Sequence, residues 1–452
     1  STEIYQEGLR IPPLKLYERG EPNETLFRVI EKAVRVPDLV LGDVRGQVTA
    51  LNWGEYHYLR LVEQFGVEEM QNHIGELFTY TEQLTRSLIR TLPNGQWRFS
   101  DYVDDDGLGI GPILIAVTLT KEDDEIHVDF TGTGNQCKGA MNVPFGTSEG
   151  MVYGATKSVL GTLGAEIPNA SGYFRPVTVT APEGTFVNPL PPAPVAARGL
   201  GCVRIFQTVL GAFAQMLPEN ISACSGGAEF MCTLAGYDKG KVPWKPWVIM
   251  DAMSEVAWGG FSDKDGNDGL HFLANNPAIA PSETLDLESH FRVEGCGFVM
   301  DSEGAGKFRG GMGMYRTHRF LRDDTLLQLR SDRQEHQPYG LWGGKSSRAT
   351  QVTLQTHQEK RRMPGKFLTT VNSDDVFHIE VPGGGGWGNP LERDPERVLW
   401  DVIEEKVSVQ RARDAYGVVV NPEQRTIDWE ATRLSRQHFP RHPLRKEKDG
   451  QN

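Results

Sequence analysis

Apolar positions along the chain change their period several times, and each change marks an element. Between Glu24 and Val36, Leu26, Val29, Ile30 and Ala33 recur at helical spacing and predict one short helix. The rest of residues 1–50 reads as an extended arm, because Ile11-Pro12-Pro13 excludes helix at that point. Two helices are expected from Tyr56 to Thr91, broken near Gly66: Leu59, Leu61, Val62 and Phe65 on the first, Met70, Ile74, Leu77 and Phe78 on the second. The period then shortens to two, predicting strands at Ile113–Leu119 and Ile126–Phe130. A helix from Ser148 to Leu163, a strand from Val177 to Thr180 and a helix from Arg204 to Met216 follow. Tyr315–Leu321 and Leu326–Arg330 alternate like two paired strands around Asp323-Asp324, and further strands run to about Glu380. Asp394 with Pro395 predicts a capped helix start. Helices at Arg397–Glu405 and Ser408–Tyr416 and a strand at Gly417–Val420 close the pattern.

These elements make a mixed α/β (α+β) chain, a strand-rich body with helices and many Gly/Pro loops. Its regions read as an N-terminal arm (1–50), a first α/β region (51–300), a β-rich glycine-loop region (301–390), C-terminal helices (391–433) and a basic tail (434–452). There is no internal repeat.

Glycine supplies the strongest local signals. Asp301–Gly311 holds Gly304, Gly306, Gly310 and Gly311, with Lys307 and Arg309 between them. Such a loop offers amide N–H groups and positive charge to an anion, or else makes tight backbone turns. Four consecutive glycines, Gly383–Gly386, including Gly385, form a second loop where backbone must approach backbone or ligand. Arg204 in the first turn of its predicted helix, with Arg198 nearby, marks a second candidate anion site; pairing with surface carboxylates is the alternative. His271, with Asn276, Glu283 and Glu288 after it, has the makings of general acid–base chemistry or of a hydrogen-bonded structural histidine. Asp104-Asp105-Asp106 lacks the spacing of a calcium loop. The run from Tyr339 to Ser346 ends like a phosphate-binding loop but has Tyr339 where its first glycine belongs.

Composition narrows the function classes. The chain has 452 residues, and a net charge of −13 argues against a nucleic-acid binder. The N-terminus has neither the basic region nor the apolar core of a signal peptide, and there is no run of 18 apolar residues. Five cysteines without CxxC spacing point to reduced thiols, hence a cytoplasmic setting.

Several stretches together resemble one family. Thr2-Glu3-Ile4-Tyr5-Gln6-Glu7-Gly8, Gly42-Asp43-Val44-Arg45-Gly46-Gln47, Asp129-Phe130-Thr131-Gly132-Thr133, Ala181-Pro182-Glu183-Gly184-Thr185 and Pro338–Gly344, with the two glycine loops, look in this order like the hydantoinase B (HyuB) family. That family is the non-ATPase half of ATP-dependent hydantoinases, 5-oxoprolinases, caprolactamases and ketone carboxylases. The resemblance implies a small-molecule substrate, a HyuA-type partner that uses ATP and Mg, and a hetero-oligomer with a divalent metal (Zn, Mn or Fe) outside this chain. The family's chain begins upstream of the Thr-Glu-Ile-Tyr-Gln-Glu-Gly stretch, which opens this sequence, so its histidine and aspartate metal ligands are expected on a separate or missing N-terminal HyuB segment. On that reading Glu7, His271 and Arg309 are candidate catalytic residues, and Glu3, Arg198, Asn276, Gly304, Gly306, Lys307 and Gly385 are candidate substrate contacts. No metal ligand is assigned to this chain. Cyclic-amide hydrolysis leads, ketone carboxylation is the runner-up, and a non-catalytic scaffold is the third reading.

Overall fold

A computed structural model describes residues 1–227, 230–253, 257–270, 279–287 and 290–438. A 3-10 turn at Ile4–Gln6 is followed by two-residue strands β1 (Tyr17–Glu18) and β2 (Glu21–Pro22). Three helices come next: α1 (Glu24–Ala33), α2 (Pro37–Phe65) and α3 (Val67–Arg90). The Asn23 side chain caps α1 by accepting the Leu26 N–H at 3.1 Å. Residues 37–50, read above as part of an extended arm, are helical. The physical reason is Pro37: at a first helical position its missing N–H costs nothing, so the proline starts the helix. Gly66, at φ +80°, separates α2 from α3 at the expected break.

Strands β3 (Gly95–Val103), β4 (Ile113–Glu122) and β5 (Glu125–Asp129) run antiparallel, and β6 (Val177–Thr180) joins parallel to β5, with Ile126 opposite Val177. The parallel pair needs a crossover, which contains α4 (Phe145–Gly161). On β4 the alternate residues Ile113, Ile115, Val117 and Leu119 are buried against α5 (Arg198–Met216) and α4. Because α5 begins at Arg198, Arg204 lies inside the helix and not in its first turn.

A second core fills the space between two sheets. Its elements are β7 (Phe230–Asp238), β8 (Lys245–Met253), α6 (Ser282–Leu287), β9 (Phe291–Phe298), β10 (Met314–Phe320), β11 (Thr325–Arg330), β12 (Gln351–Gln355), β13 (Lys360–Arg362), β14 (Lys366–Val371) and β15 (Val376–Glu380). One sheet has the order β13-β12-β15-β10-β9 and the other β14-β11-β7-β8. Phe320, Phe377 and Ile379 of the first meet Leu234, Leu327 and Leu329 of the second. The expected pairing of β10 with β11 is therefore wrong: β10 pairs with β9 and β15, and β11 with β7 and β14. Alternation fixed which face of each strand is buried, but two strands facing each other across a sandwich alternate just as a hairpin does.

The chain ends in α7 (Pro395–Ile403), α8 (Val409–Tyr416), β16 (Val420–Asn421), β17 (Thr426–Ile427) and α9 (Trp429–His438). Asp394 accepts the Glu396 N–H at 3.0 Å and so caps α7, as its position before Pro395 predicted. The basic tail is helical as far as His438, and its remainder lies outside the described residues. Five loops, around residues 223–227, 257–268, 301–313, 338–347 and 382–390, pack backbone to backbone among these parts. A Cβ on Gly310 would stand 1.8 Å from the Gly384 carbonyl oxygen, which leaves glycine as the one residue that can close the contact.

Candidate functional site

The opening stretch of the chain lies against the segment that leads into α5. The Ile4 N–H donates to the Pro192 carbonyl at 2.9 Å. The Glu7 carboxylate accepts the N–H groups of Val195, at 2.9 and 3.0 Å, and of Ala196, at 3.0 Å, together with the Ser1 hydroxyl at 2.7 Å. Partial burial alone would raise its pKa; the Ser1 hydroxyl and the two amides outweigh burial and hold it below the usual glutamate value. Arg198, the first residue of α5, is exposed and reaches the Val195 carbonyl at 3.4 Å, so Glu7 and Arg198 bind the backbone of the same residue, one at its N–H and the other at its carbonyl. Glu3 stands at the start of the same turn, its carbonyl accepting the Gln6 N–H at 3.2 Å.

Arg330, at the end of β11, belongs to this cluster and was not picked out from the sequence. Its burial lowers its pKa while the Glu7 carboxylate draws it up, and no carboxylate forms an ion pair with it among the described residues. A half-buried guanidinium without an ion-pair partner can hold an anionic group.

The glycine loop is used differently from its anion-site reading. The Gly304 N–H donates to Gly384 at 2.7 Å, the Gly310 N–H to Gly304 at 3.0 Å, and the Lys307 N–H to Gly388 at 3.2 Å. Gly385 donates to Cys224 at 2.8 Å and accepts from Gly260 at 2.9 Å, and a Cβ on Gly306 would lie 2.5 Å from the Phe308 carbonyl. Its amides serve the fold. Lys307 is exposed, with its ammonium 5.7 Å from the Phe308 ring centre. Arg309 is buried, and carboxylates of the fold already take its charge: Nε reaches Asp401 at 3.0 Å and Nη1 reaches Asp268 at 3.1 Å. Arg393 binds the same Asp401 at 2.7 Å and Asp265 at 2.6 Å. His271 and Asn276 lie outside the described residues.

A second buried network went unrecognised in the sequence. Arg333 holds Asp101 through two bonds of 3.1 and 2.9 Å, Arg204 binds Asp332 at 2.6 Å, and Lys366 binds the same Asp332 at 3.0 Å. It joins β3, α5 and β14 across the first core and the sandwich. Arg204 gave the available signal, an arginine between Val203 and Ile205 in an apolar helix. The acidic loop is likewise structural. Asp104 accepts the N–H groups of Gln334, Glu335 and His336 at 2.6–3.1 Å, and Asp106 those of Leu108, Ile110 and Gly139. Among the described residues no group of three His, Cys, Asp or Glu side chains could hold a metal ion.

Over residues 1–390 the chain matches the sequence profile described as Hydantoinase B/oxoprolinase. The chain belongs to the hydantoinase B family. It is 32% identical over 445 residues to the B-type component of a putative D-/L-hydantoinase from Pseudomonas sp. (strain NS671), covering 96% of this chain and 74% of that one. The crystal structure of ATP-dependent caprolactamase from Pseudomonas jessenii superposes with a TM-score of 0.86 at 27% identity, over 96% of this chain and 76% of that one. Nucleotide-free acetone carboxylase shares the fold, with a TM-score of 0.88 at 16% identity over 96% and 64% of the two chains. The mixed α/β fold read from the sequence is thus the fold of this hydantoinase B chain and its relatives.

Proposed function

We propose that this hydantoinase B chain is the HyuB-type subunit of an ATP-dependent complex that hydrolyses a cyclic amide: a hydantoin, an oxoproline or a lactam. A HyuA-type companion phosphorylates the amide, and the activated ring is opened in the assembled complex, with the divalent metal and ATP/Mg held outside this chain. The observation that carries the reading is the likeness to the B-type component of a putative hydantoinase along 96% of the chain. Arg330, half-buried, near Glu7 and without an ion pair among the described residues, adds a cation able to hold an anionic group. The fold shared with acetone carboxylase favours ketone carboxylation as the second reading.

Reconstitution tests this. The chain is combined with its ATP-using companion, Mg and ATP, and ADP release is measured with hydantoin, 5-oxoproline or caprolactam. Ring opening coupled to ADP release only when both subunits are present is the expected result. ADP release that instead requires a ketone and bicarbonate moves the assignment to the carboxylase. ATP turnover indifferent to this chain with every substrate overturns both.

A further inference from the structure

The sheet of β3, β4, β5 and β6 buries one face against α4 and α5 and turns a polar face outward. Strand alternation sets that face, and the register lines up its members. Arg98 stands opposite Thr118, Thr118 opposite Asp129, and Asp129 opposite Thr180, while Ser100 and Ala116 form the next row. An open cleft of about 630 Å³ runs over these rows, with Arg98, Ser100, Ala116, Thr118, Asp129 and Thr131 among its lining. It carries one charge of each sign, and the two do not neutralise each other.

Asp129 is fixed in place through one oxygen. Its Oδ1 accepts the Thr131 N–H at 3.1 Å, the Thr131 hydroxyl at 2.9 Å and the Thr180 hydroxyl at 2.9 Å. Partial burial would raise the carboxyl, but these bonds outweigh it and hold Asp129 below the usual aspartate value. Its Oδ2 accepts no hydrogen bond among the described residues. Arg98 is exposed and makes one long contact, from Nη2 to the Gln96 side-chain oxygen at 3.3 Å; among the described residues it has no ion pair. Thr118 stands between the two charges with Ala116 beside it, so the floor is low. The Ser100 and Thr118 hydroxyls have no partner among the described residues.

The spacing of the charges selects the ligand. Arg98 and Asp129 lie two strands apart, a backbone separation of about 9.6 Å, and side chains on one face project in parallel. Two charge-assisted bonds of about 2.8 Å leave about 4 Å for the ligand's own charged atoms. The ammonium nitrogen and a carboxylate oxygen of an α-amino acid lie about 3–3.5 Å apart. An ω-amino acid with about five methylenes extends to about 8 Å and overshoots. A plain carboxylate or amine satisfies one end alone. We infer that the cleft binds a zwitterionic α-amino acid, its ammonium on Oδ2 of Asp129 and its carboxylate on the Arg98 guanidinium. The Ser100 and Thr118 hydroxyls lie beneath it. The open top leaves the ligand's own side chain in solvent, so the class is recognised and not one member. Arg330 belongs to a different sheet, and the inference stands apart from the proposed function.

The test is calorimetric titration of the full chain with L-alanine, propionate and 6-aminohexanoate. The expected result is saturable binding of L-alanine, at least tenfold tighter than that of either other compound. Arg98→Gln, which removes one charge, and Thr118→Leu, which fills the floor, should each weaken it at least tenfold. Both positions face outward, so the melting temperatures of these variants should match that of the unaltered chain. Asp129→Asn should lose binding as well, but it also loosens the Thr131 turn, so the other two variants carry the decision. No saturable binding of L-alanine at tens of millimolar overturns the site. So does equal binding of propionate or 6-aminohexanoate, or binding by folded Arg98→Gln and Thr118→Leu chains as tight as by the unaltered one.

Discussion

Arg309 shows how a charge that suggests chemistry can serve the fold. Its guanidinium is shared between Asp268 and Asp401, and Arg393 binds the other oxygen of Asp401. Removing one partner of a buried pair leaves its carboxylates uncompensated, which costs about 3–5 kcal/mol. Arg309→Met is therefore expected to lower stability by that order in chemical denaturation; an unchanged denaturation midpoint would return Arg309 to the substrate. The same cluster predicts acid sensitivity. Burial would raise the Asp265 carboxyl, but Arg393 outweighs it and holds Asp265 below the ordinary value; Arg309 does the same for Asp268. A lowered folded pKa contributes stability that is complete above the unfolded value, about 3.9, and is lost as pH falls through the folded one. The chain should hold its fold at pH 5 and lose it below pH 4, and Arg393→Met should unfold at a higher pH, as circular dichroism during acid titration would register.

Two elements use glycine in opposite ways. In the packed loops the glycines are obligatory: a Cβ on Gly384 would lie 2.0 Å from the Trp258 carbonyl oxygen. Gly384→Ala should destabilise by about 3 kcal/mol or more, since neighbouring backbone has no room to yield. In α2, Gly46 meets nothing within 4 Å. There Gly46→Ala should raise helix stability by about 0.8–1 kcal/mol. Thermal melts of the two variants should move in opposite directions, and a loss in both would mean that α2 packs closely in the isolated chain. The two sandwich sheets make a related point, because the short Leu321–Asp324 connection carries the chain from one sheet to the other.

At the scale of the whole molecule, the described residues form three apolar cores tied by buried ions. The first draws on residues between Ile89 and Ile221, the second on residues between Cys232 and Val381, and the third on the C-terminal helices. Asp332, held by Arg204 from the first part and Lys366 from the second, is the tie between the first two. Asp332→Asn should leave both cations undercompensated and lower the cooperativity of urea unfolding; a single transition of unchanged slope would argue against the tie. No helix among the described residues is long and apolar enough to cross a membrane. The described residues offer no three-ligand metal cluster, so elemental analysis of the isolated chain is expected to find no stoichiometric Zn, Mn or Fe.

What the sequence determined by itself is local or cumulative. Periodicity placed α4, β4, β5 and β6 because burial repeats with the period of the element, and Asp394 before Pro395 placed the cap of α7. Ordered short stretches such as Thr2–Gly8 and Pro338–Gly344 were enough for the family. Arg330 escaped because an arginine at a strand end has no local pattern that says whether a carboxylate will meet it. Only the tertiary structure decided which strands pair, since alternation records the buried face and not the neighbour. It alone decided that the amides around Gly304 and the charge of Arg309 are spent within the fold, because their partners lie as far along the chain as Gly384 and Asp401. And it alone left α2 bare, because an apolar residue in a sequence does not say whether its own chain will cover it.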